Sequence, residues 1–128
     1  MKREEIIRML EGFPYDREDY WIMTGAAMVL YGIREETSDI DMGCSSKLAD
    51  IMEAEGYLYK VMDDGSRWFK IGKDIELFEN WLDDSVVTVE GFPVISIQGL
   101  IRTKQSMKRE KDARDLALIK EYLEGRKK

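Results

Sequence analysis

Histidine is absent from this 128-residue chain, cysteine occurs once and proline twice. Without histidine there is no Ser-His or Cys-His nucleophile pair. With Cys44 as the lone thiol, neither an intramolecular disulfide nor an ordinary zinc site can be assembled. Any metal must therefore be a hard, oxygen-bound ion of the Mg²⁺ kind. No phosphate-cradling Gly-x-x-x-x-Gly-Lys loop occurs. No apolar run approaches the roughly 18 residues that a membrane span needs. The opening MKREEIIRML is amphipathic and acid-containing rather than a signal peptide, so a cytoplasmic protein without membrane attachment is expected. Repeats, low-complexity stretches and Pro- or Ser-rich linkers are also lacking, which leaves one domain over residues 1–128.

What is present is a balance of 44% hydrophobic and 36% charged residues, enough apolar material for a core beneath a charged surface. Twenty basic residues against twenty-six acidic ones give a net charge of −6. That field disfavours duplex nucleic acid and attracts cationic partners.

Apolar spacing predicts a first helix over Arg3 to Leu10, stopped at Gly12-Phe13-Pro14. Tyr20 to Thr24 reads as a strand that turns at Gly25 into a short helix closed by Gly32. Asp39-Ile40-Asp41-Met42 alternates acidic and apolar residues at the strand period. A helix over Lys47 to Glu55 follows, with Ser46 as its cap. Tyr57–Met62, Trp68–Ile71 and Asp74–Phe78 form a meander with turn residues at each reversal, and two short strands flank Glu90-Gly91. Ser96 caps the first of two C-terminal helices; the second spans Lys111 to Glu124. The result is an α+β domain in which Trp21, Trp68, Trp81, Cys44 and the methionines are read as core.

The chemistry concentrates at Asp39 and Asp41. Two apart on a strand, they leave the same face, and two carboxylates held that close repel unless they share a proton or bind a divalent cation. An Asp-x-Asp pair alone more often lines a solvated edge. Its setting changes the weighting: strand, glycine turn, short helix, Gly32, Arg34, Thr37, then the pair.

The stretch WIMTGAAMVLYGIREETSDIDMGCS resembles the signature of the nucleotidyltransferase superfamily related to DNA polymerase beta, in particular the small bacterial branch with the lincosamide and aminoglycoside enzymes. The resemblance implies a nucleotidyltransferase-like mixed sheet flanked by helices, and it places the phosphate-binding turn at Gly25-Ala26, just after Thr24. It also implies a third carboxylate from the strand KDIELFENW, where Asp74 and Glu76 are both candidates and Glu76 fits the hydrophobic-acid-hydrophobic position best. ISIQGLIRTKQSMKREKDARDLALI resembles the C-terminal helices of the small members, with Lys104, Arg109, Lys111, Asp112 and Asp115 at the recurring positions.

The implied activity is Mg²⁺-dependent transfer of a nucleoside monophosphate from an NTP to a hydroxyl, with two metal ions on Asp39, Asp41 and Glu76. Thr24, Gly25, Ala26, Arg34 and Lys104 would hold the nucleotide. The acceptor would be a small hydroxylated molecule or a protein partner, and the acidic field points to a cationic one such as an aminocyclitol. Ala26, where the family has Gly or Ser, and a glutamate in the third position favour a second reading: a catalytically weak protein of the same fold, such as a toxin–antitoxin component. A homodimer or hetero-complex would then close the site.

Overall fold

The computed structural model describes residues 1–82 and 84–126. Helix α1 (Arg3–Glu11) buries Ile6 and Leu10 and leads to strand β1 (Tyr20–Met23), which passes directly into α2 (Thr24–Tyr31). Strand β2 (Ile40–Cys44), helix α3 (Ser46–Ala54), strands β3 (Tyr59–Val61), β4 (Arg67–Ile71), β5 (Ile75–Glu79), β6 (Val86–Val89) and β7 (Phe92–Ile95), and helices α4 (Ile97–Met107) and α5 (Glu110–Arg126) complete the chain. The fold is α+β, as the element pattern implied. Among the described residues no helix is long and apolar enough to cross a membrane.

All seven strands join one mixed sheet in the order β3-β4-β5-β2-β1-β7-β6. The pairs β2·β5 and β1·β7 run parallel and the others antiparallel. Because β5 skips back beside β2, Asp41 lies opposite Glu76 and Gly43 opposite Phe78, while β4 sets Trp68 beside Phe78. Alternation then sorts the sheet into two faces. Ile40, Met42, Cys44, Leu77 and Phe69 point into the core and are fully buried. Asp41, Glu76, Phe78 and Trp68 share the opposite face, and all four line one cleft.

Several local expectations shift. The cap of α3 is Ser45, whose hydroxyl accepts from the Leu48 amide at 3.1 Å; Ser46 is already helical. Ser96 caps α4 as expected, accepting from the Gly99 amide. Cys44 lies on the core face, away from the acids, and burial pushes its thiol up to about 12. The tryptophans are half-buried rather than core: Trp68 and Trp81 line the cleft, and the Trp21 indole donates to the Trp81 carbonyl across Gly43. A Cβ at Gly43 would sit 1.9 Å from that indole nitrogen, so glycine is needed there for close approach.

Candidate functional site

The junction of β1 and α2 is abrupt. Thr24 adopts φ +44°, a left-handed conformation uncommon outside glycine, and its hydroxyl donates to Asp41 Oδ2 at 2.9 Å. Gly25 follows, and a Cβ there would come within 2.4 Å of Thr37 Oγ1 and 3.3 Å of an Arg34 nitrogen. The absent side chain thus lets the loop after α2 fold down over the turn. Gly32 ends α2 at φ +85° with its amide bonded back to the helix, which starts that loop. The strand-to-helix junction falls at Met23-Thr24, so Gly25 and Ala26 both lie in the first turn of α2. Ala26 is fully buried in α2, whereas Thr24, Gly25 and Arg34 line the cleft.

Three carboxylates converge on the cleft floor. Asp39, Asp41 and Glu76 each offer an oxygen, and these atoms all lie within 4.8 Å of one another. Asp39 stands one residue before β2, and parallel pairing brings Glu76 beside Asp41. Asp74, the other candidate, is not a member of this cluster among the described residues; its carbonyl accepts from the Ile40 amide at 2.7 Å. Burial, and then the neighbouring Asp41, raises the Asp39 carboxyl above its ordinary value, with Lys111 opposing. Asp41 is raised chiefly by burial; the Thr24 hydrogen bond opposes this and Glu76 adds to it. Among the described residues none of the three forms an ion pair. An all-oxygen, uncompensated donor set of this kind fits a hard divalent cation.

Lys104 is placed differently from a free phosphate ligand. It lines the cleft but is 3% exposed, and its ammonium is held by Asp115 at 2.8 Å and Asp112 at 3.3 Å. Arg109 binds Asp112 through its Nε at 2.7 Å, and Arg34 reaches Asp115 at 3.7 Å. The Arg109 hydrogen bonds hold the Asp112 carboxyl down at about 2. This network ties α4 to α5 and to the loop carrying Arg34. On the same side of the cleft Lys111 and Arg114 also line it, without an ion pair among the described residues.

The cleft is about 1540 Å³ and extends well past the carboxylates. Its far end is built from Lys60, Met62, Trp68, Phe78, Trp81 and Leu82. Trp68 and Phe78 are parallel within 7° at 5.8 Å between centroids, and Phe78 meets Trp81 edge-on at 5.0 Å. This half was missed from the sequence. The alternation that paired Asp74 with Glu76 continues to Phe78 and would have found one of its residues; Trp68 and Lys60 reach the cleft only through strand register.

No family model matches the sequence, and no curated protein is similar to it at a significant level. Solved structures do resemble it. The lincosamide antibiotic adenylyltransferase LnuA, bound to lincomycin, matches over 91% of this chain and 95% of its own, with 17% identity and a TM-score of 0.58. A Thermotoga maritima protein assigned as a nucleotidyltransferase matches over 98% and 96%, at 19% identity and a TM-score of 0.60. ANT(2")-Ia in complex with adenylyl-2"-tobramycin matches over 97% and 88%, at 17% identity and a TM-score of 0.54. The chain has the nucleotidyltransferase-like fold.

Proposed function

We propose that the chain transfers a nucleoside monophosphate from an NTP to a hydroxyl of a small acceptor, using divalent metal held by Asp39, Asp41 and Glu76. The observation that carries this reading is the uncompensated carboxylate cluster at the floor of a large cleft, on a fold shared with adenylyltransferases. Bound there, Mg²⁺, as one or two ions, would supply charge neutralisation at the triphosphate.

The residues of the chain divide the remaining work. Arg34, Lys111 and Arg114 offset phosphate charge at the end of the cleft beside the Thr24-Gly25 turn. Lys104 acts as a positioning residue, holding α4 and α5 together through Asp112 and Asp115. Glu76 orients the acceptor hydroxyl and takes its proton on a carboxylate oxygen. The acceptor oxygen then bonds to the α-phosphorus while the α–β bridging bond breaks, and pyrophosphate leaves with that electron pair. The binding-module reading leaned on Ala26 and on a glutamate in the third position; burial of the Ala26 side chain, with Thr24 and Gly25 lining the cleft, weighs toward the transfer reading.

The test is pyrophosphate release from each NTP with Mg²⁺ across a panel of hydroxylated acceptors. Glu76→Gln is expected to lower transfer by roughly 10²–10⁴-fold while NTP binding persists, and Asp74→Asn to have little effect. The reverse pattern would move the base to Asp74. Absence of release with every nucleotide and acceptor would count against transfer.

A further inference from the structure

We infer that the acceptor is a hydroxylated compound carrying an aromatic ring, seated at the Lys60/Trp68/Phe78 end of the cleft. The inference rests on the transfer reading for the word acceptor. The ring site itself stands on geometry.

Three observations converge. Phe78 lies two residues beyond Glu76 on the same strand and face, so a ligand presenting a hydroxyl to Glu76 has Phe78 and Trp68 within reach along the cleft. The strand order places Trp68 between Phe78, parallel to it at 5.8 Å, and Lys60, whose ammonium lies 5.4 Å from the indole centroid. Trp68 is thus flanked on its two neighbouring strands by an aromatic ring and a cation, and an incoming ring can meet this group edge to face. Aromatic edges carry the positive part of the ring quadrupole and prefer the π-face of another ring. The third observation is Lys60 itself, which adds a full positive charge at the same place and can sit over a bound ring.

Two of the acids near this end have partners of their own. Asp64 is taken up by the Ser66 amide and hydroxyl at 2.9 and 2.6 Å. Glu79 is bonded to Arg67 at 2.7 Å. Asp63, on the exposed turn after β3, remains at the rim. Met62 and Leu82, 42% and 38% exposed, supply apolar surface at the mouth, and a ring would cover it.

The experiment is calorimetric titration of the full chain with phenyl β-glucoside and methyl β-glucoside, separately from an NTP·Mg²⁺ titration. Phenyl glucoside is expected to bind at least about tenfold tighter than methyl glucoside. Trp68→Ala should erase the phenyl preference. Lys60→Gln, an exposed substitution that leaves folding intact, should reduce it. Equal binding of the two glucosides overturns the inference. So does a Trp68→Ala chain that keeps the phenyl preference but loses NTP binding, since the ring end would then serve the nucleobase. If the phenyl preference appears and no NTP binds, the ring site stands and the transfer reading fails.

Discussion

Asp39 and Asp41 hold protons more tightly in the folded chain than an exposed aspartate does, because burial penalises their charge and Asp41 and Glu76, respectively, add like charge. Protonation is thus favoured by folding, and in metal-free solution these two groups add stability as pH falls into the carboxylate range. Asp39→Asn with Asp41→Asn should remove that rise and stabilise the metal-free protein at neutral pH. A bound cation reverses the balance, contributing RT ln(1 + [L]/Kd), about 2.7 kcal/mol at a hundredfold excess over Kd. Thermal melts with and without millimolar Mg²⁺ should therefore show an upward shift that the double variant lacks. Destabilisation of the metal-free double variant would mean that the carboxylates are hydrogen-bonded scaffold. Ala26 is a second residue with a clear expectation. Its methyl group is fully buried, so Ala26→Ser places a hydroxyl in the core and should cost about 1–3 kcal/mol in urea unfolding. A neutral or stabilising result would show that position to be more open than the core packing indicates.

At the scale of elements, one ion network holds the sheet to α3 and another holds α4 to α5 and the Arg34 loop. Arg67 on β4 binds Glu79 on β5 at 2.7 Å and Asp50 on α3 at 2.8 Å, and its hydrogen bonds hold the Glu79 carboxyl down at about 2. Glu79 and Asp112 both have carboxyls lower in the folded than in the unfolded chain. Their contribution is therefore complete above the ordinary carboxylate range and is lost as pH falls toward about 2. Arg67→Met should flatten that acid-induced loss between about pH 5 and pH 2 while lowering stability at neutral pH; an unchanged acid limb would show that Glu79 does not drive it. Lys104→Ala leaves two buried carboxylates facing one another and should cost roughly 3–5 kcal/mol, read by chemical unfolding. The elements themselves were legible in the sequence, since glycine stops, serine caps and two-residue alternation are local signals. Register was not. That β5 returns beside β2, bringing Glu76 to Asp41 and Phe78 to Gly43, depends on a parallel pairing between distant segments that no local pattern specifies. The strand ends at Met23 rather than Thr24, because Thr24 already opens α2 with a positive φ that composition assigns to glycine, its hydroxyl bonded to Asp41.

Across the whole molecule, charge and cleft chemistry have to be separated. The net charge of −6 concerns long-range attraction, and from it alone a cationic acceptor follows. Inside the cleft the distribution is uneven: cations from α5 and the Arg34 loop at one end, carboxylates at the floor, and aromatic rings with Lys60 at the other. Local potential decides binding there, because low-dielectric walls strengthen nearby charges over distant ones. The carboxylate pair was readable from sequence, the third carboxylate was narrowed to two, and the aromatic end was invisible because its residues come from three strands. On the proposed function, Asp39, Asp41 and Glu76 hold a metal that in turn holds a nucleotide. Calorimetric titration of ATP, GTP, CTP and UTP into the protein with Mg²⁺, with EDTA in its place, and with Asp41→Asn tests it most directly. Saturable binding of at least one nucleotide that requires Mg²⁺ and disappears in Asp41→Asn is the expected result; nucleotide binding indifferent to both Mg²⁺ and Asp41, or no binding of any nucleotide, would contradict it.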